Sequence, residues 1–283
     1  MMPKYACVTL DMEPDYGDPL GRIRLLDTPE FFERFVGLIH KYDARVTMFT
    51  VTSLFETHGA DFERLAARIP LEYAVHSHSH DPHNACGLDE VQAAQKAYQK
   101  FTGRAPTGYR APIGQIDRDG LGRLMDFGYR YDSSVYTSIR PGKFGYFNLH
   151  LPNIPFWLTR GGREALLEFP FTSISTVRVV YALSYAKLLG WPLYSALLHL
   201  FGLPDVALLL LHPYNFYTKL TADGIQGVER LALTRNDGHS FEYFERMLAD
   251  LQKRGYEFLS VGEIYERIHD QPNLPRLAWE EWR

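Results

Sequence analysis

Four histidines fall within eight residues, His76-Ser77-His78-Ser79-His80-Asp81-Pro82-His83, directly after the apolar-rich run 71–75. The chain holds 11 histidines in 283 residues, so a random spread would leave well under one in such a window. Imidazole is the commonest metal ligand and the one side chain that titrates near neutrality without perturbation. Metal binding is therefore the first chemistry to consider. Other ionisable residues follow short apolar runs in the same manner: Asp11 and Glu13 after 5–10, Arg110 within 108–111, Asp132 at the end of 129–132, and His212 after 206–211. Acids and bases drawn out of water are costly unless paired or metal-bound, so five such deliveries to one face define a site.

The elements that must position these residues alternate between two periods. Residues 5–10, 45–51, 71–75, 108–111, 129–132, 164–169, 206–211 and 256–260 read as strands. The run Val206-Ala207-Leu208-Leu209-Leu210-Leu211 is so uniformly apolar that both its faces must be buried. Between them lie amphipathic helices. One follows Thr28-Pro29-Glu30 with Phe31, Phe35, Leu38, Ile39 and Tyr42 in step; others are expected over 61–69, 89–101, 119–127 and 238–254. About seven strand-helix units point to a parallel α/β barrel, in which active sites gather at the C-terminal strand ends. Residues 137–162, broken by Pro141, Gly142, Gly145, Pro152, Pro155, Gly161 and Gly162, read as a long loop over one rim.

In this order the motifs resemble those of the NodB-type polysaccharide deacetylases: Thr9-Leu10-Asp11-Met12-Glu13 the first, Glu72 to His80 the histidine motif, Arg110-Ala111-Pro112-Ile113-Gly114 the third, Tyr131-Asp132-Ser133-Ser134 the fourth and Leu211-His212-Pro213 the last. The resemblance implies a distorted (β/α)7 barrel over a single domain, residues 1–283. It implies His76 and His80 as ligands of a divalent metal, usually zinc, with cobalt, manganese or nickel also suited to such donors. It implies Asp11 as catalytic base, Arg110 as its ion-pair partner, and His212 as general acid with Asp132 orienting it. The commonest first motif has two adjacent aspartates, whereas the second position here is Met12, which offers no oxygen. The Asp-x-Glu spacing assigns the third ligand to Glu13, with Asp15 in reserve. That departure points toward relatives acting inside the cell on soluble amides, nucleotide sugars or lipid-linked sugars.

The implied reaction is removal of an acetyl or formyl group from an amino sugar. Two rivals are a hydrolase of a small non-sugar amide, similar to allantoinases or imidases, and a non-catalytic carbohydrate-binding homologue. His78 and His83 are expected in supporting positions, and Asp132 also fits an ordinary Asp-Ser-Ser turn. Asp237 or Ser240 would cap the helix that follows them. Trp157, Trp191, Tyr136, Tyr146 and Tyr214 are of the kind that stack on sugar rings.

Composition narrows the partners. With 46% hydrophobic and 14% aromatic residues the chain is no disordered segment, and its net charge of −4 gives no electrostatic case for nucleic acid. A saccharide or other small molecule is the expected partner; oligomeric state is not readable. Cys7 and Cys86 are too few for a disulfide framework and are expected as free thiols. No signal-peptide pattern follows Met1, so a cytoplasmic location is expected. The uncharged stretch 188–204 falls short of the roughly 20 apolar residues of a spanning helix. It is expected as a helical pair over the core, with peripheral contact to a membrane face or a lipid-linked substrate as the alternative.

Overall fold

The computed structural model describes residues 3–282 apart from positions 17, 19, 20, 141, 143 and 222–226; Met1, Met2 and Pro141 thus lie outside the described residues. The strands are β1 (Tyr5–Met12), β2 (Val46–Thr50), β3 (Leu71–Val75), β4 (Gly108–Tyr109), β5 (Tyr131–Asp132), β6 (Ile139–Arg140), β7 (Tyr146–Phe147), β8 (Phe156–Arg160), β9 (Arg163–Glu168), β10 (Val206–Leu211), β11 (Glu257–Phe258) and β12 (Arg276–Ala278). The helices are α1 (Arg24–Asp27), α2 (Pro29–Lys41), α3 (Leu54–Ala66), α4 (Leu88–Thr102), α5 (Arg118–Asp126), α6 (Leu183–Leu189), α7 (Trp191–Phe201), α8 (Thr218–Thr221), α9 (Gly227–Thr234), α10 (Ser240–Lys253) and α11 (Val261–Ile268).

Strands β10, β1, β2, β3, β4, β5 and β9 pair side by side in parallel, giving the curved wall of a distorted α/β barrel. The seam between β9 and β10 is filled by irregular chain rather than by direct pairing. Ala182 bridges Leu210, Ser173 bridges Val180, and the Leu208 N–H donates to Thr172 Oγ1 at 2.8 Å. Strand β8 runs antiparallel to β9 and carries β12 on its far side.

The two-residue period of a strand decides which residues look inward. On β1, Tyr5 and Cys7 pack in the interior cluster, while Ala6, Val8, Leu10 and Met12 pack outward against the helices. Asp11 therefore inherits the inner face. The same alternation turns His76 inward after Ala74, Arg110 inward after outward-facing Tyr109, and His212 inward after Leu208 and Leu210. Helices on the outside complete the burial: α2 inserts Phe32, Phe35, Val36 and Ile39, each worth roughly 1.5–3 kcal/mol when fully buried. The N-terminal end of the barrel is plugged by α11, whose Val261, Ile264, Tyr265 and Ile268 join the interior cluster. A capping box starts this helix, Ser260 Oγ accepting from the Glu263 N–H and Glu263 Oε2 from the Ser260 N–H.

Three expectations about elements need correction. The helix placed at 61–69 begins at Leu54, because Leu54 and Phe55 bury its first turn and Gly59 admits the Phe101 ring at 3.1 Å from where a Cβ would stand. The rim segment 137–162 is not all loop: β6 and β7 form a hairpin, and 156–160 is strand because its alternate residues Phe156 and Leu158 reach the outer core. The cluster 235–239 is not a simple helix cap, since Asp237 is buried and accepts from Lys187 and from the Thr218 and Lys219 N–H groups.

Candidate metal and acid-base site

Glu13, His76 and His80 each offer one donor atom, and the three atoms lie within 4.8 Å of one another at the C-terminal mouth of the barrel. His76 leaves β3 with its Nδ1 2.8 Å from the Arg110 carbonyl oxygen. A carbonyl only accepts, so this contact places the proton on Nδ1 and the lone pair on Nε2, the arrangement a metal ligand requires. Burial, the largest influence, pulls His76 down to about 4, and the ring is neutral at physiological pH. Burial alone would raise the Glu13 carboxyl, but the attraction of His80, then His212, then His76 overcomes it and holds Glu13 at about 2. His80 Nε2 contacts Glu13 Oε2 directly. Two neutral-capable imidazoles and one carboxylate are the donor chemistry of a divalent metal, and they suit such an ion.

The loop that brings His80 back to His76 is not extended. Ser77 and His80 adopt left-handed backbone, at φ 59° and 62°. Buried Glu90 of α4 holds the turn by accepting from the His78 and Ser79 N–H groups at 2.8 and 3.0 Å. His78, which an extended chain would aim at the ligands, instead meets Thr52 Oγ1 at 3.0 Å. His83 packs against Phe144 with the two rings tilted by 50°. Glu90 escaped the sequence reading because an acid in a helix's first turn looks like ordinary dipole compensation.

Beside the donors lies an acid-base pair. Asp11 Oδ1 accepts from Arg110 Nη1 at 2.6 Å, and both side chains are buried. Arg110 also donates to the Ser133 carbonyl, Ser133 Oγ and Thr9 Oγ1, and its guanidinium is sandwiched between Phe49 and Phe171 at 4.0 and 4.5 Å. Every face of Arg110 is thus fixed, and it holds Asp11 in turn. His212 Nε2 stands 3.8 Å from Asp11 Oδ2 and 3.9 Å from Glu13 Oε1, stacked on Tyr214. The loop after His212 is clamped from behind: buried Lys187 Nζ donates to the Asn215 carbonyl, Thr218 Oγ1 and Asp237 Oδ1, while Asn215 Oδ1 accepts the His212 N–H. That Lys187–Asp237 clamp carries no local sequence signal, for its members are 50 residues apart.

Two expected residues lie elsewhere. Asp15 is occupied by Arg24 and the Tyr217 hydroxyl, at 2.9 and 2.8 Å, and stands outside the donor cluster. Asp132 does not orient His212. Its carboxylate receives the Ser134 N–H and Oγ–H, and among the described residues no contact joins it to His212. Asp132 is instead packed with Glu168, whose carboxyl is pushed well above the usual carboxylate range by burial first and then by the neighbouring acid.

A cavity of about 510 Å³ opens over the site, walled by Tyr136, Tyr146, Tyr185 and Tyr214. Trp157 is buried with its Nε1 donating to the His269 carbonyl, and Trp191 sits against Tyr243, so neither tryptophan reaches it.

An α/β barrel with this Glu-His-His donor set and an Arg-held aspartate at its C-terminal mouth defines the class. Residues 3–131 match the model of the polysaccharide deacetylase family. Asp11, Glu13, His76, His80 and Arg110 fall inside the match; Asp132 and His212 fall beyond it. A comparison with curated proteins finds no match in sequence. Among solved structures, a candidate polysaccharide deacetylase from Mycobacterium smegmatis is similar with a TM-score of 0.59 at 17% identity, over 97% of this chain and 93% of its own. The PuuE allantoinase gives 0.58 at 14% identity, over 95% and 91%. These likenesses are of fold.

Proposed function

We propose that the protein is a metal-dependent amide hydrolase that removes an N-acetyl or N-formyl group from an amino sugar. The observation that carries this reading is the meeting, in one cavity, of the Glu13, His76 and His80 donor atoms with the Arg110-held carboxylate of Asp11. Glu13, His76 and His80 would hold the ion, zinc by preference, with cobalt, manganese or nickel acceptable to the same donors. A bound divalent ion supplies Lewis acidity, lowering the pKa of water and polarising the amide carbonyl. Asp11, held immobile by Arg110, takes the proton as water adds to the carbonyl carbon. His212, its Nε2 3.8 Å from Asp11 Oδ2, steadies the oxyanion and gives a proton to the nitrogen as the C–N bond breaks. The products are acetate or formate and a free amino sugar.

The tyrosine-walled cavity favours a sugar ring over a compact non-sugar amide, and the retained pair Asp11–Arg110 disfavours a purely binding role. No helix among the described residues is long and apolar enough to cross a membrane. The outer side of α7 nonetheless exposes Leu193, Leu200 and Phe201, which supports peripheral contact with a membrane face or the lipid of a lipid-linked sugar. Free, buried Cys7 and Cys86 accord with a cytoplasmic place of action. Acetate and formate release from a panel of N-acyl amino sugars and small cyclic and linear amides, run with added zinc and with chelator, tests the reading. Chelator-sensitive release from sugars is the expected result; release from the small amides alone would replace it.

A further inference from the structure

The outer wall of the catalytic cavity differs in charge from its floor. Asp11 and Glu13 lie at the floor, whereas much of the outer wall is drawn from residues 133–204, a stretch that holds only two acids, Glu164 and Glu168. Neither reaches the cavity. Glu164 pairs with Arg276 at 2.6 Å, and Glu168 is buried opposite Asp132 in the β5–β9 register. Into this acid-free wall Arg140 projects. Of the described residues lining the cavity, it is the one with a fixed positive charge. It is exposed, and among the described residues no hydrogen bond or ion pair engages its guanidinium. Arg110, beneath the floor, has every face occupied; Arg140 has its whole fork to offer.

The hairpin fixes where that fork stands. Arg140 lies opposite Tyr146 in the β6–β7 register, and the Asn148 N–H donates to the Ser138 carbonyl at 3.0 Å. Gly142 turns the chain at φ 108°, and a Cβ on Gly145 would fall 2.6 Å from the Arg140 carbonyl oxygen, so glycine is what lets the strands close beneath Arg140. Tyr146 stacks on Tyr136 at 4.9 Å and 9°, Tyr136 on Phe171 at 3.8 Å and 10°, and Phe171 covers the Arg110 guanidinium at 4.5 Å. Asp11 and Arg140 therefore mark the inner and outer ends of one aromatic stack. A sugar lying along it, with its acyl group over Glu13, His76 and His80, turns its far side to Arg140. A hydroxyl there would gain little over water from an exposed guanidinium. A phosphate or carboxylate accepts two N–H groups from the planar fork and adds the attraction of opposite charge.

We propose that Arg140 recognises an anion, and that the substrate is an N-acyl amino sugar bearing a phosphate or a carboxylate on the side away from its amide. The proposal rests on the amino-sugar reading above and narrows it to charged sugars. The experiment measures kcat/KM for N-acetylglucosamine, its anomeric phosphate, its primary-hydroxyl phosphate and its uronic acid, with their N-formyl counterparts, in zinc-loaded wild type, Arg140→Gln, Arg140→Lys and Arg140→Glu. Wild type should favour an anionic form over the neutral sugar, and the form it favours separates phosphate from carboxylate. That preference should fall about tenfold in Arg140→Gln and further in Arg140→Glu, with Arg140→Lys restoring part of it. In wild type it should also shrink as salt is raised. Equal handling of neutral and anionic sugars by wild type would overturn the proposal. So would a preference that survives Arg140→Glu, the pattern of an anion held by the metal alone. In either case metal-dependent release from the neutral sugar leaves the amino-sugar reading standing. Calorimetric binding of the same sugars to metal-free protein decides the matter where none is hydrolysed. Tighter binding of an anionic form that is lost in Arg140→Glu upholds the role of Arg140, and binding that is absent or indifferent to the substitution defeats it.

Discussion

The two ends of the barrel hold cavities of nearly equal volume, about 510 Å³ at the C-terminal mouth and about 540 Å³ at the N-terminal end, and a carboxylate projects from the interior face at each. At the N-terminal end Glu72 accepts from Thr47 Oγ1, the Gly262 N–H and the Tyr131 hydroxyl at 2.8–2.9 Å. All its partners are neutral and fixed, and the neighbouring Arg45 and Arg130 are paired with Glu263 and Glu266. At the mouth Glu13 meets three imidazoles, and Asp11 keeps one oxygen turned toward His212. A cavity with a carboxylate does not make a site. What distinguishes the mouth is that its partners are imidazoles, whereas those of Glu72 are two hydroxyls and the N–H of a helix N-terminus.

The sharpest way to break this contrast is to remove an imidazole from the mouth. His80→Ala or His76→Ala should reduce acyl release to background in a discontinuous product assay, and turnover within tenfold of wild type would end the ligand assignment. Next in size is Asp11→Asn, which should retain the metal yet lose about 10²- to 10⁴-fold in kcat; unchanged turnover would remove Asp11 as the base. Glu72→Ala should do the reverse, costing about 1–3 kcal/mol by chemical denaturation through donors left unpaired, with kcat within about twofold. A catalytic collapse in that variant would show the two ends to be coupled.

A further difference lies in pH. In metal-free protein Glu13 lies below its ordinary value, so its stabilising contribution is present above about pH 4.5 and is lost as pH falls toward 2, an amount on the order of 3 kcal/mol. Glu72 is pushed upward, chiefly by burial, so its contribution is present below about pH 4.5 and is lost as pH rises through its folded pKa. Denaturation midpoints from pH 2 to 8 should show the gap between wild type and Glu13→Gln widening with pH, and that for Glu72→Gln changing in the opposite sense. Parallel slopes would mean that the two carboxylates do not differ in kind.

Much of this was legible because strand alternation is a local property. Once residues 5–10, 71–75 and 206–211 read as strands, Asp11, His76 and His212 had to share the inner face, and the family motifs added their roles. What escaped was set by tertiary structure. The turn that sends His78 to Thr52 depends on Glu90, ten residues beyond His80 and on the next helix. The Lys187–Asp237 clamp joins segments far apart in sequence, and Asp132 found a neighbour in Glu168 that no spacing foretells. The hairpin β6–β7 was hidden by glycines and prolines, which mark turns without saying whether short strands lie between them.

Metal stoichiometry, measured by elemental analysis after reconstitution with zinc and removal of free ion, tests the contrast between the two ends most directly. About one ion per chain is predicted for wild type and for Glu72→Ala, and a small fraction of that for Glu13→Ala. Equal zinc content in wild type and Glu13→Ala would contradict the account.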